Sequence, residues 1–186
     1  MFRLRDLILF FSHHVLKIIL LLGLLITLAA CNNHPNHISG NAVKGIITNG
    51  IVSAYLVVSN EENTLTTKRK LLGQTRTDSS GEYEISIPTL TNNPVIALEL
   101  TADSQTTMRC DLVDGCLYPE NTSASSTLLA EFGTELPLPR NFKLLGYKLG
   151  ESQHNAYISP LSHIVYTTAS SLPGGLSSSN LETASG

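Results

Sequence analysis

Apolar and polar positions along residues 38–149 follow the two-residue period of β-strands. In residues 82–87, apolar Tyr83, Ile85 and Ile87 alternate with polar side chains, which predicts a strand with one exposed face. Residues 51–59 are apolar at both parities, which predicts a strand buried on two sides. With no helical period between them, these runs predict an antiparallel β-sandwich.

Turn residues separate the predicted strands. Asn49-Gly50 favours a tight turn, and residues 78–81 form a second one, in which Asp78 bonds nearby backbone N–H groups and Gly81 takes positive φ. Residues 60–70 read as a polar loop. The strand candidates are residues 42–48, 51–59, 71–77, 82–87, 94–101, 106–111 and 136–147.

Beyond residue 150 the pattern changes to that of a helix. Ser159-Pro160 is a favourable N-cap and first-turn pair, and apolar spacing predicts a helix over residues 160–170, ended by Pro173. Residues 179–182 have the form of a capping box. A helix that starts four residues before the last residue has two interpretations. Either the natural chain continues beyond Gly186, or these residues are a frayed Ser-rich tail.

The N-terminus has the three parts of a secretory signal. Residues 1–17 carry basic side chains, residues 18–30 form an uncharged, mostly apolar run, and Leu28-Ala29-Ala30 precedes Cys31. The predicted signal helix is shorter than the roughly 20 apolar residues that span a bilayer. The alternative is an uncleaved anchor starting at Leu7, which would bury charged Lys17 near its middle.

Leu28-Ala29-Ala30-Cys31 resembles the lipobox of bacterial lipoproteins. The resemblance implies that Cys31 receives a diacylglyceryl group and becomes the acylated first residue of the mature protein. Several acyl chains give stable anchoring, so the expected partner is the membrane. Asn32 replaces the Asp that resembles an inner-membrane retention signal in enterobacteria, which favours the outer membrane.

Cys110 and Cys116, separated by five residues, are the other two cysteines. In an oxidising compartment an even pair predicts a disulfide. The alternative is a metal or redox pair, but the spacing is not Cys-x-x-Cys and no second ligand pair lies nearby.

Charge argues against a nucleic-acid partner. Residues 31–186 contain nine basic and fourteen acidic side chains, a formal net charge of −5. A protein that binds phosphate backbones needs a basic face. The one basic run, Lys68-Arg69-Lys70, is interpreted as part of a solvated loop.

Three further stretches resemble the carboxypeptidase-regulatory-like domains of bacterial surface lipoproteins. Residues 40–45 resemble the opening of that domain, and residues 77–83 resemble its Thr-Asp-x-x-Gly-x-Tyr turn, with Asp78 and Gly81 as structural turn residues. Residues 107–110, with Cys116 and residues 142–144, resemble a subgroup of large lipoproteins. In that subgroup the domain is followed by a helical region that opens with a Pro-Leu-Thr-His-like motif, here residues 159–163. The chain departs from that pattern at residues 46–47, where Pro-Leu is usual. The resemblance implies a transthyretin/Ig-like sandwich of about seven strands, itself non-catalytic.

Candidate reactive groups are few. His34 and His37 are possible metal ligands in a tether, but without a nearby carboxylate we interpret them as solvated. His163 as a base would need a nucleophile and an orienting acid, so we expect it to cap or pack. Asp78 is interpreted as a turn residue rather than a calcium ligand. The alternative interpretation of Asp103, Asp111 and Asp114 is a weak cation site. We expect no catalytic residue, metal or cofactor.

The sequence thus divides into a signal peptide at residues 1–30, a tether at 31–37, a β-sandwich at 38–149 and the helical start of a second region at 150–186. The expected function is that of a lipid-anchored, non-enzymatic binding or structural module at the cell envelope, acting through loops or an edge strand on a protein or glycan. The alternatives are an N-terminal accessory module of a larger envelope enzyme and an uncleaved inner-membrane protein.

Overall fold

The computed structural model describes residues 36–58, 68–92, 94–117, 129–150 and 155–186. Within them the chain is mainly β, with antiparallel sheets and two helices, as the pattern predicts. The six long strands are β1 (Asn36–Asn41), β3 (Ile51–Val58), β4 (Lys68–Arg76), β5 (Glu82–Ile87), β6 (Val95–Thr101) and β11 (Lys143–Leu149). The short strands are β2 (Ile47–Thr48), β7 (Thr107–Arg109), β8 (Cys116–Leu117), β9 (Leu129–Ala130) and β10 (Glu135–Pro137). The helices are α1 (Pro160–Ser171) and α2 (Ser178–Ser185).

Four of the long strands form the central sheet, in the order β11-β6-β3-β4. All its neighbours are antiparallel, and Leu98 of β6 lies opposite both Ala54 of β3 and Gly146 of β11. The remaining strands form a β1-β5 pair, a three-stranded sheet β10-β7-β2 and a β8-β9 pair. The chain passes from the central sheet to the β1-β5 pair through the turn between β4 and β5.

One face of the central sheet packs on the β1-β5 pair. Because β-strands alternate their side chains, the even-numbered residues of β6 point to this face and the odd-numbered ones to the other. The buried residues of this core include Ile38, Tyr83, Ile85, Ile87, Val52, Ala54, Ile96, Leu98, Leu100 and Leu144. This arrangement of facing sheets accords with the predicted sandwich.

The opposite face of the same sheet is covered by the two helices. Val95, Ala97 and Leu145 from the strands pack with Tyr166 and with other helix residues, notably Ala169 and Leu181. The prediction that residues 51–59 form a strand buried on two sides therefore holds for most of β3, but its last residue, Val58, is exposed. Burial of a large apolar side chain is worth about 1.5–3 kcal/mol, so both covers contribute to stability.

The helical residues are part of the same compact unit as the strands, which extends from Asn36 to Gly186. The sequence placed residues 150–186 at the start of a second region because their period changes from strand to helix. The apolar side of α1 nevertheless has its partner in the sheet itself. Helix α1 begins at the predicted N-cap, Ser159, and ends one residue beyond the predicted boundary.

Residues 155–158 close the side of the sandwich between its two layers. They run parallel to β1, where Ala156 N–H donates to Ser39 O (2.9 Å) and Ile158 N–H donates to Asn41 O (2.9 Å). On the other side of this segment, the backbone of β11 is close: a Cβ added to Gly146 would lie 2.9 Å from Tyr157 O. This segment therefore covers the free edge of β1 and lies against β11 as well.

Gly40 explains how this segment approaches β1 so closely. The buried Tyr83 hydroxyl donates a hydrogen bond to Ala156 O across Gly40. A Cβ at position 40 would overlap that carbonyl oxygen and would also lie 2.9 Å from the Tyr83 hydroxyl. Burial raises the pKa of Tyr83 far above its ordinary value, which keeps the hydroxyl protonated as a donor.

We predict that Gly40→Ala destabilises the fold by about 3 kcal/mol, because a backbone carbonyl cannot move aside as a flexible side chain does. Gly133→Ala is the control: Gly133 has a φ of 84°, but nothing lies within 4 Å of an added Cβ. Its cost is therefore only about 1 kcal/mol of backbone strain. Urea unfolding of both variants measures the difference, and equal losses would contradict the proposed steric role of Gly40.

Four local predictions were wrong. The single strand expected over residues 136–147 is divided into β10 and β11 by residues 138–142, where Phe142 N–H donates to Pro139 O. Strand β1 starts at Asn36, inside the expected tether, because its backbone pairs with β5. The predicted strand 42–48 is interrupted at Gly45, whose φ of 70° breaks the extended backbone. Residues Lys68–Lys70 are exposed as expected but belong to β4 rather than to a loop.

Candidate functional site

The turn between β4 and β5 contains the residues singled out by the sequence, and each one holds the backbone. Asp78 Oδ1 accepts hydrogen bonds from the N–H groups of Ser80 (2.8 Å) and Glu82 (2.9 Å). Gly81 has a φ of 77°, and an added Cβ would lie 3.0 Å from Ala42 O. These are the turn roles that the sequence assigned to Asp78 and Gly81.

Thr77, just before this turn, joins it to β2 and to the start of β3. Its buried hydroxyl donates to Ile47 O (2.7 Å) and accepts from Gly50 N–H (2.9 Å). The Thr-Asp-x-x-Gly-x-Tyr motif therefore places Thr77, Asp78, Gly81 and Tyr83 in four different structural contacts. The motif organises the backbone, and none of these four contacts is of a catalytic kind.

A cavity of about 480 Å³ opens beside the turn. Its lining is mostly polar and includes Ser39, Asn41, Glu82, Glu84, Asn155 and the cationic Arg76. Such a lining suits hydrogen bonding to a small polar molecule more than burial of an apolar one. We take this cavity as the candidate binding site in the described part of the chain.

Arg76 at the edge of this cavity is held by two partners. Its Nη1 donates to Asn49 O (2.7 Å), and its Nη2 donates to Asp103 Oδ2 (2.5 Å). The hydrogen bond from Arg76 lowers the pKa of Asp103 well below its ordinary range, and the backbone N–H of Gln105 adds to the effect. The Asp103 carboxylate is thus already paired with the Arg76 guanidinium.

This pairing removes the main support for the weak cation site considered at Asp103, Asp111 and Asp114. Asp103 Oδ1 also accepts from Gln105 N–H and the Thr106 hydroxyl. Among the residues whose structure is described, no three His, Cys, Asp or Glu side chains gather in a group able to hold a metal ion.

The Arg76–Asp103 pair predicts a pH dependence of stability. Because folding lowers the pKa of Asp103, its contribution is present above the unfolded-state value of about 3.9 and is lost as the pH falls below it. We therefore expect the stability difference between wild type and Asp103→Asn to be largest near neutral pH and to shrink below about pH 4. Urea unfolding across this range tests it; a difference independent of pH would contradict the ion pair.

His37 belongs to a polar cluster on the outer face of the β1-β5 pair rather than to a solvated tether. Its Nδ1 lies 2.9 Å from Glu84 Oε1 and 3.4 Å from Ser86 Oγ. A catalytic triad requires the acid and the nucleophile to contact different nitrogens of the histidine. Here both contact Nδ1, so the cluster lacks that geometry. His34 lies outside the described residues.

The Ser162-His163 pair at the start of α1 caps the edge of the central sheet. Leu145 N–H donates to His163 Nδ1 (3.1 Å), and Ser162 Oγ lies 2.9 Å from Leu145 O, to which it donates. Ser162 and Ser159 also form a reciprocal capping box at the helix start. The two side chains therefore satisfy both backbone groups of one edge-strand residue, and His163 caps, as expected.

We predict that His163→Leu lowers the free energy of unfolding by about 2 kcal/mol, since it leaves the Leu145 N–H without its acceptor. His163→Asn is the matched control, because its Oδ1 can take the place of Nδ1, and it should restore most of the loss. Chemical denaturation of the three proteins gives the comparison. Equal stability of the Leu and Asn variants would show that the hydrogen bond contributes little.

Cys110 and Cys116 form the predicted disulfide, with their Cα atoms 5.7 Å apart. Both cysteines are buried with Ala130 and Leu136 in a small core of their own. A loop of this size contributes about 2 kcal/mol on the chain-entropy model. Around it lie exposed apolar side chains, with Val113 at 88% and Phe132 at 65% exposure.

Sequence reasoning missed the charged cluster around Glu99 of β6. Glu99 Oε2 lies 2.7 Å from Lys143 Nζ and 3.6 Å from Arg69 Nη1. The Arg69 guanidinium in turn lies 5.5 Å from the ring centre of Tyr166, whose pKa is raised by burial. These side chains come from β4, β6, β11 and α1, so no local sequence pattern could have grouped them.

The expected signal peptide at residues 1–30 and the lipidation site Cys31 lie outside the described residues. Among those that are described, neither helix has the length and apolar content needed to cross a bilayer. Comparison with family models, curated proteins and solved structures finds no match to this chain. The resemblances noted above therefore depend on the quoted residues alone.

Proposed function

We propose that this chain is a membrane-anchored lipoprotein that carries a non-catalytic β-sandwich module at the bacterial cell envelope. The observation that carries the proposal is the Leu28-Ala29-Ala30-Cys31 sequence at the end of an apolar run. The resemblance to the lipobox assigns lipid attachment to Cys31. Asn32 at the following position favours the outer membrane.

The Cys110–Cys116 disulfide is independent support for export. Disulfides persist in the periplasm and outside the cell, and they are rare in the reducing cytosol. A buried disulfide that closes a small core is a structural bond. The module is thus suited to an oxidising compartment, in agreement with removal of a signal peptide.

A binding or structural role fits the way in which the polar residues are used. Asp78, Thr77, Arg76 and His163 are all engaged with backbone or with a fixed ionic partner. What is left open to a ligand is the polar cavity beside the β4-β5 turn. We propose a polar ligand there, of the glycan or protein class, and no turnover of it.

The proposal predicts that the protein from its host's membranes begins at Cys31 and carries added acyl mass. Cys31→Ser should abolish the acyl chains and release the protein from the membrane fraction, because the thiol is the lipid acceptor. Asn33→Ser is the control, since it changes a neighbouring residue and leaves the Cys31 thiol and the Cys110–Cys116 disulfide in place. Intact mass spectrometry with membrane fractionation provides both readouts.

Two results would contradict this function. An unprocessed chain starting at Met1 would indicate an uncleaved membrane anchor. Membrane retention of the Cys31→Ser protein would show that the lipid is not what holds it. Asn32→Asp tests the proposed outer-membrane location. We expect the protein to move from the outer to the inner membrane fraction, and an unchanged distribution would remove the argument from Asn32.

A further inference from the structure

The connection between β2 and β3 consists of Asn49 and Gly50, a pair of residues with a reactivity of its own. In a flexible chain, the backbone nitrogen that follows an asparagine attacks the side-chain amide carbon. Glycine permits this attack best because it has no side chain to hinder it. A new C–N bond closes a succinimide ring, ammonia leaves, and water then opens the ring to aspartate or isoaspartate. The chain contains one Asn-Gly sequence, and it lies at this connection.

The two reacting groups are in different surroundings, because Asn49 is exposed and Gly50 is buried. The Gly50 N–H donates to Thr77 Oγ1 (2.9 Å), and the Thr77 hydroxyl donates in turn to Ile47 O (2.7 Å). Thr77 is only 2% exposed, so water does not compete for this hydroxyl. An attacking Gly50 nitrogen must lose its proton and turn toward the Asn49 side chain, and the hydrogen bond to Thr77 opposes both movements.

Thr77 also pairs its backbone with the same two residues. Its N–H donates to Gly50 O (2.9 Å), and its carbonyl oxygen accepts from Asn49 N–H (3.0 Å). Asn49 has a φ of 57°, in the left-handed region that asparagine adopts more readily than most residues. A Cβ at position 50 would lie 3.1 Å from Leu100 Cδ1, so the Gly50 backbone packs closely on the core. Thr77 therefore holds the Asn49-Gly50 connection closed through its side chain and its backbone together.

A change at Asn49 reaches the candidate cavity through Arg76. Asn49 O accepts from Arg76 Nη1 (2.7 Å) and from the Thr106 hydroxyl (3.3 Å). Isoaspartate routes the backbone through the former side chain and adds a methylene to it, which displaces this carbonyl. Either product also adds a carboxylate at position 49, which competes with Asp103 for the Arg76 guanidinium. Because Arg76 lines the cavity, the shape and charge of the cavity depend on the chemical state of Asn49.

From these contacts we propose that Asn49 is a site of spontaneous deamidation and that the Thr77 hydroxyl protects it in the folded protein. The reaction requires a local opening that breaks the hydrogen bond between Gly50 and Thr77, so its rate follows the free energy of that opening. Its co-reactants are water and hydroxide ion. The proposal does not depend on the lipidation of Cys31 or on a ligand in the cavity.

Ageing of the protein in mildly alkaline buffer tests the role of Thr77. The protein, purified in detergent from its host's membranes, is incubated folded and, in parallel, unfolded in urea. Peptide mass spectrometry with fragment ions then locates the amide-to-acid mass gain at position 49. We expect conversion of the wild type to be at least about tenfold faster in urea than in the folded state. Thr77→Val keeps the side-chain shape but removes the hydroxyl, so the folded variant should convert about tenfold faster than the folded wild type. Thr77→Ser keeps the hydroxyl and should stay close to the wild type.

His163→Leu is the control for general destabilisation, since it weakens the fold at β11 and leaves Thr77 unchanged. Equal acceleration in His163→Leu and Thr77→Val would overturn the role of Thr77, because global unfolding would then control the reaction. Equal rates in the folded and unfolded wild type, or in folded Thr77→Val and wild type, would overturn the protection. If Thr77→Val does not fold, hydrogen exchange of the Gly50 amide in the wild type decides: strong protection supports the proposal, and exchange at the rate of an unstructured amide overturns it.

The aged protein also tests the link from Asn49 to Arg76. Urea unfolding compares the stability lost through Asp103→Asn before and after conversion at position 49. This loss should become smaller after conversion, because Arg76 then has a second carboxylate to pair with and no longer has the Asn49 carbonyl in place. An unchanged loss would overturn the link to the cavity.

Discussion

The central four-stranded sheet is apolar on both faces, and the rest of the domain is arranged to cover it. Strand β6 places Leu98 on one face and Ala97 on the other, and both are buried. Either face left in water would lose the free energy of burying several large side chains, at about 1.5–3 kcal/mol each. The β1-β5 pair supplies one cover and the two C-terminal helices supply the other.

Residues 155–163 connect these two covers. They extend the β1 edge through backbone hydrogen bonds, receive the Tyr83 hydroxyl and then cap Leu145 with Ser162 and His163. Free strand edges are sites of unwanted pairing, and here one short segment protects an edge in each layer. His163, which the sequence offered as a possible base, is used in this way.

Local pattern was sufficient for the elements whose cause is local. The alternation in β5 and the Ser159-Pro160 helix start depend on neighbouring residues, and both are present. The contacts that build the candidate site join distant residues: Arg76 with Asp103, and His37 with Glu84. These pairs follow from strand register across two sheets, which one sequence does not reveal. For the same reason the helices could be predicted, but their place on the sheet could not.

Hydrogen exchange of the mature protein, read by mass spectrometry at low denaturant, tests most directly whether the helical residues belong to the same folding unit as the sheet. If α1 is a required cover, its amides should open with the same free energy as those of β6. The reason is that loss of α1 would expose the apolar face of the sheet on which it packs. Protection of β6 together with rapid exchange throughout residues 160–171 would contradict the account, since the sheet would then be stable without its second cover.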